Sequence, residues 1–134
     1  MSFASDLRRF SKTTKQNVDE VQRAVGIALF SAVIMDTPVD SGRLRGNWQA
    51  SRNAPVSITT SRRDVTGRTT IGAVKASIGD SKATDVLYLT NNLPYAQRIE
   101  YDGWSHTKAP EGMVRKNVAR FRAILAQEAR RIKK

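Results

Sequence analysis

The chain contains no cysteine, which removes disulfides and thiolate metal sites and is compatible with a reducing compartment. Histidine is nearly as scarce. His106 stands alone in the stretch from Tyr101 to Pro110, which carries Gly, Ser and Pro without periodicity, and reads as a surface loop residue. Ser105 beside it lacks the orienting third group of a catalytic triad, and metal binding would need several ligands at recurrent spacing. No spaced carboxylate pair suggests acid–base work. Gly72, Gly79 and Gly103 are isolated, so no glycine-rich loop is present to cradle a phosphate. Long apolar runs are missing as well. The longest, Ala24 to Met35, includes Ser31 and falls short of the ~18 residues that span a bilayer. Met1 to Lys15 is polar and basic, without the apolar segment of a secretory leader. These absences predict a soluble protein that is not an enzyme and has no cofactor or metal.

Positive charge is what the chain has in excess. Twenty-three Lys and Arg face twelve Asp and Glu, a net charge of +11 over 134 residues. The first forty residues balance at five against five. Residues 41–80 hold seven cations against two acids, and residues 81–134 hold eleven against five. Such a surplus implies anionic partners: nucleic acid, a membrane surface or an acidic protein face. The length fits one domain, residues 1–134, with a short N-terminal arm over about 1–15 and a mobile basic loop over about 60–69.

From about Gln16 to Asp36, Val18, Val21, Val25, Ala28, Leu29 and Ala32 recur at three- and four-residue spacing, predicting a helix. Its second half is apolar nearly all round, and Gly26 marks a close approach by a neighbouring element. Pro38 ends it by disfavouring helical conformation at Thr37, and Asp40-Ser41-Gly42 is turn chemistry. Leu44 to Arg52 alternates as a half-buried strand, with Trp48 on the apolar side. Val56 to Thr60 suggests a second strand, and Thr69 to Ile78 a short helix, although its β-branched content also suits a strand. Asp85 to Asn91 is the clearest strand. Asn92-Leu93-Pro94 turns the chain, Tyr95 to Tyr101 is a short helix or strand, and Glu111 to Lys134 is a long helix. Its apolar stripe is Val114, Val118, Phe121, Leu125 and Ile132. The order predicts an α+β domain: a small antiparallel β-sheet packed by a long N-terminal helix and a long C-terminal helix.

Two segments carry more than secondary structure. One runs Thr37-Pro38-Val39-Asp40-Ser41-Gly42-Arg43-Leu44-Arg45-Gly46-Asn47-Trp48. The other runs Asn91-Asn92-Leu93-Pro94-Tyr95-Ala96-Gln97-Arg98-Ile99-Glu100-Tyr101, followed by Ala109-Pro110-Glu111-Gly112-Met113-Val114-Arg115. Together they resemble the small neck or tail-completion proteins of long-tailed bacteriophages, over roughly Val21 to Arg122. Asn53 to Thr84 is more basic and less alanine-rich than that family, and Asp102-Gly103 stands where relatives have Gly directly. The resemblance implies a structural virion protein of the neck, located in the virion and in the host cytoplasm during assembly. It implies a ring of copies, hexameric or dodecameric, between head-side connector or adaptor proteins and the tail terminator or tail tube. Contact with packaged DNA is open. Two alternatives stand beside it: a tail terminator capping the tail tube, and a DNA-binding protein using the basic loop and C-terminal helix.

The candidate site residues form two groups. Tyr95, Arg98, Tyr101 and Trp104 read either as a local aromatic mini-core or as a subunit or neck interface, where Tyr, Trp and Arg concentrate. Arg62, Arg63 and Arg68 in the loop, with Arg115, Lys116, Arg122, Arg130 and Arg131 toward the C-terminus, are candidate contacts to an anionic partner. For the C-terminal cations a solvated helix face, phosphate contact and docking on an acidic protein ring all fit.

Overall fold

The amphipathic pattern near the N-terminus folds as helix α1, Val18–Met35, in the computed structural model, which describes residues 18–96, 114, 117 and 120–132. Asp19 and Glu20 occupy its first turn, where negative charge complements the helix dipole. Val21, Val25, Val33 and Ile34 are buried along one side. Gly26 is where the predicted close approach occurs: a Cβ there would lie 2.9 Å from Leu87 Cδ1.

The helix ends three residues before Pro38. The Asp36 amide still donates to Ala32 O at 2.9 Å, but the Thr37 amide turns to Ile34 O at 3.2 Å. Arg43–Gly46 then forms one helical turn, α2, and the strand β1 is confined to Trp48–Arg52. This corrects the expectation of a strand from Leu44. Leu44 and Trp48 are both buried, and their spacing of four suits a helical turn as well as a strand's alternation. A run this short does not separate the two periods.

β1 pairs antiparallel with β2, Leu87–Asn91, in the register Trp48 with Asn91, Ala50 with Leu89 and Arg52 with Leu87. The described sheet has these two strands only. Val56 to Thr60 is not a strand. Side-chain amides hold this stretch instead of a ladder. Gln49 Nε2 donates to Ile58 O at 2.7 Å, and Asn92 Nδ2 donates to Val56 O at 2.9 Å and Ile58 O at 3.0 Å.

The third helix, α3, is Arg68–Ile78, so the helical reading of that segment is the right one. The last, α4, is Phe121–Ile132, whose described side chains are those of 123–128 and 130. β1 packs on α3, α3 on α1 and α1 on α4. The core gathers Val33, Ile34, Leu44, Trp48, Val74, Ile78, Leu93 and Ala96. The class is α+β with a small antiparallel sheet, as the order of elements predicts, but it is α3 that packs on β1, while the N-terminal helix packs on α3 and the C-terminal helix on the N-terminal one. The N-terminal arm lies outside the described residues.

Candidate functional site

The two segments singled out by sequence meet in space. Trp48 faces Asn91 across the sheet, Asn91 Nδ2 donates to Leu44 O at 2.8 Å, and Leu93 joins Leu44 and Trp48 in the core. The first segment closes on itself through Thr37. Its buried hydroxyl donates to Val33 O at 2.7 Å and accepts the indole N–H of Trp48 at 2.8 Å. One small side chain thereby ties the end of α1 to the start of β1. Trp48 is a core residue.

Arginines and asparagines complete the frame. The Arg45 guanidinium donates to the carbonyls of Met35, Thr37 and Val65, so it serves the last turn of α1, where carbonyls lack partners of their own. Asn47 is fully buried; its Nδ2 donates to Arg43 O and its Oδ1 accepts from the Thr60 amide at 2.9 Å. Gly42, at φ 83°, brings its carbonyl to the Asp64 amide at 2.9 Å. Gly46 lies so close to the Arg62 carbonyl that a Cβ would sit 2.4 Å from its oxygen. The turn at 42–46 and the turn at 62–64 are thus docked backbone to backbone.

Asp64 continues this path into α3. Its Oδ1 accepts from the Gly67 amide at 2.9 Å and its Oδ2 from the Thr70 amide at 2.7 Å. Burial pushes the carboxyl up, but the bonds from Thr70, Gly67 and Thr66 outweigh it and hold the pKa below the ordinary value. The carboxylate thereby fills the N-terminus of α3, a place that otherwise suits an external anion. At the sheet's far end Asp85 is also held below its usual value, by the Lys82 amide first and the Asn53 side chain next.

The candidate cations separate by environment. Arg62 is half-buried, with Nε on Gly46 O at 3.0 Å and Nη2 on Trp48 O at 3.1 Å, so it braces the docked turns. Its segment, expected to be a mobile loop, is held by these bonds and by Asp64. Arg63 and Arg68 are exposed and make no ion pair among the described residues. Arg130 is exposed on α4, to which Arg122 and Arg131 also belong. Arg115 and Lys116 lie outside the described residues, as do Arg98, Tyr101, Trp104 and His106. Tyr95 is half-buried and packs against the core.

Sequence reasoning placed Asp36 at the end of the predicted helix and missed the task it has there. Its Oδ2 accepts from Asn117 Nδ2 at 2.8 Å and from Arg120 Nη2 at 3.1 Å, clasping the C-terminal segment to the end of α1. The role of Asp64 was also missed, though an Asp three residues before a Gly that opens a helix is a readable cue. Beside the clasp lies an open groove of about 370 Å³ lined by Met35, Asp36, Thr37, Pro38, Val39 and Arg45. Among the described residues no three His, Cys, Asp or Glu side chains gather to hold a metal, and no helix is long and apolar enough to cross a membrane. Comparison of the chain with protein-family models, curated proteins and solved structures finds no match.

Proposed function

We propose that this chain is a structural protein of the neck of a tailed bacteriophage, acting in tail completion or head–tail joining, with assembly rather than catalysis as its work. One observation carries the reading. The two segments that resemble the neck proteins lie some forty residues apart, yet they interlock through Trp48, Asn91, Leu44 and Leu93. Their unusual residues are therefore framework: Thr37, Gly42, Arg45, Gly46 and Asn47 each hold a turn. A shared framework of that kind fits a common fold with a common place in an assembly better than it fits a reaction site.

In this reading the protomers close into a ring by heterologous contacts, since a head-to-tail interface that closes gives cyclic symmetry. The ring would present one surface to the head-side connector and another to the tail. The exposed cations, Arg63 and Arg68 among them, supply charge for docking on an acidic neighbour, and salt weakens such docking over a screening length of ~8 Å. Light scattering of the purified protein, with and without duplex DNA and at low and moderate salt, tests this. A ring, or joining to isolated virion necks, with DNA binding lost by ~0.15 M salt, is the expected result. Stable stoichiometric DNA binding at that salt, without a ring and without affinity for virion parts, overturns it in favour of a DNA-binding protein.

A further inference from the structure

The docked turns do more than stabilise the fold: they bring exposed apolar residues and exposed arginines onto adjoining segments. Met35 and Val65 are large apolar residues left 49% and 58% exposed. They are neighbours, because the Arg45 guanidinium donates to the carbonyl of each. Gly67, two residues after Val65, lies against Met35, whose Sδ is 2.9 Å from where its Cβ would be. The open groove continues this surface past Pro38 and Val39. Arg63 and Arg68 flank Val65 in sequence, and the turn of Gly42 that carries Arg43 is hydrogen-bonded to Asp64. All three arginines are exposed and make no ion pair among the described residues.

The local carboxylates do not cancel this charge. Asp64 is buried and turned into the amides of α3. Asp36, on the groove wall, holds Arg120. Asp40 is the exposed acid of the bordering segment, one against three.

We propose that Met35, Val65 and the adjoining groove, rimmed by Arg43, Arg63 and Arg68, form a docking surface for an acidic protein segment that carries an apolar side chain. The proposal rests on the assembly reading above and names the partner class of its basic surface. Its composition decides between partners. Apolar centres with a polar rim, enriched in Met and Arg, are the anatomy of protein–protein interfaces. A phosphate backbone would gain nothing from Met35 and Val65, and among the described residues no aromatic platform of the kind on which single strands stack lies here, since Trp48 is buried. The anion site that α3 would offer a phosphate is already filled by Asp64. A second copy meeting this surface face to face would set Arg43, Arg63 and Arg68 against the same three exposed cations, which the heterologous contacts of a ring, pairing different faces, do not require.

The test uses the full-length protein, isotope-labelled for NMR, and three probes: a short synthetic peptide alternating Asp and Glu with Leu, poly-glutamate, and a short DNA duplex. At ~0.15 M salt the Leu-containing peptide is expected to bind most tightly and to shift the amides of Met35, Arg43 and residues 63–68. Its affinity should fall about tenfold or more in R63E/R68E, and about tenfold in M35Q/V65S, both truncations lying at the centre of the interface. Poly-glutamate should respond to the first pair alone. Equal binding of peptide, poly-glutamate and duplex, with M35Q/V65S silent, would overturn the proposal and leave a generic polyanion patch. Absence of peptide binding, or shifts elsewhere, overturns it too, as does self-association that M35Q/V65S abolishes. Light scattering of the parent protein beside the peptide titration separates the two readings: a ring without peptide binding removes this surface alone, and peptide binding without a ring or affinity for necks removes the assembly reading.

Discussion

Replacing Thr37 with Val is nearly isosteric and removes one hydroxyl, yet two partners depend on that group. Thr37 is 2% exposed and Trp48 5%, so water cannot replace what is lost. The indole N–H loses its acceptor at 2.8 Å, and Val33 O loses the hydroxyl that reaches it at 2.7 Å. The Thr37 amide offers no rescue, because it is bonded to Ile34 O. Each buried group left unpaired costs about 1–3 kcal/mol, so T37V should lose about 2–4 kcal/mol. T37S keeps both bonds and forfeits one buried methyl, a cost of about 1 kcal/mol. W48F removes the donor and some apolar contact but leaves the Thr37–Val33 bond intact. The double variant T37V/W48F should therefore cost less than the sum of the two, by about 1–2 kcal/mol of coupling. Urea denaturation followed by far-UV circular dichroism measures all four proteins without depending on the tryptophan signal. Additive losses, or T37V within about 0.5 kcal/mol of the parent, would show that this pair of bonds does not hold α1 to β1.

Three further outcomes follow from neighbouring groups. G46A should destabilise by about 1–3 kcal/mol, because its Cβ meets the Arg62 carbonyl in a held turn; G72A, on an open face of α3, should gain about 0.5–1 kcal/mol, and chemical denaturation compares the two. Asp64 has a lowered folded pKa, so its stabilisation is present above the unfolded-state value of about 3.9 and disappears as pH falls through the lower folded value. Thermal melts across that acid range should show a steeper loss for the parent than for D64N. D36A should leave the buried Asn117 amide without its carboxylate partner; hydrogen exchange should then quicken in α4, and unchanged protection there would discount the clasp.

How much of this was legible depends on the range over which each residue acts. The pattern of α1 extends over several turns and names its own buried face, and Pro38 names its end. Gly26 announced a close contact whose partner, Leu87, lies sixty-one residues away and carries no mark of the pairing. Leu44 to Trp48 misled because alternation over five residues satisfies two periods at once. Val56 to Thr60 misled for a different reason: its β-branched residues favour a strand, but a ladder needs a neighbour, and Gln49 and Asn92 side chains took that place. Arg62 looked like Arg63 in sequence. Only the carbonyls of Gly46 and Trp48, brought close by the glycine at 46, distinguish the brace from the free cation.

That distinction changes what the net charge means. A guanidinium bonded to backbone carbonyls is immobilised but not neutralised, so Arg45 and Arg62 still contribute to the field that steers an anionic partner. Arg52, by contrast, lies 3.2 Å from Asp80 and has part of its charge cancelled. Long-range attraction therefore draws on nearly all of the surplus in residues 41–80, whereas direct contact draws on Arg43, Arg63, Arg68 and Lys75, the exposed cations of that stretch with no ion pair among the described residues. The two contributions separate experimentally. R63E and R68E should slow association and speed dissociation, each with unchanged urea midpoint, because the rim charge both steers and touches. R62Q should cost about 1–3 kcal/mol of stability through lost bonds to Gly46 and Trp48 and so lower the urea midpoint, while association falls only as far as one unit of charge dictates. If R62Q instead weakens docking as much as R63E at unchanged stability, Arg62 leaves its carbonyls on binding, and the turns it braces belong to the interface.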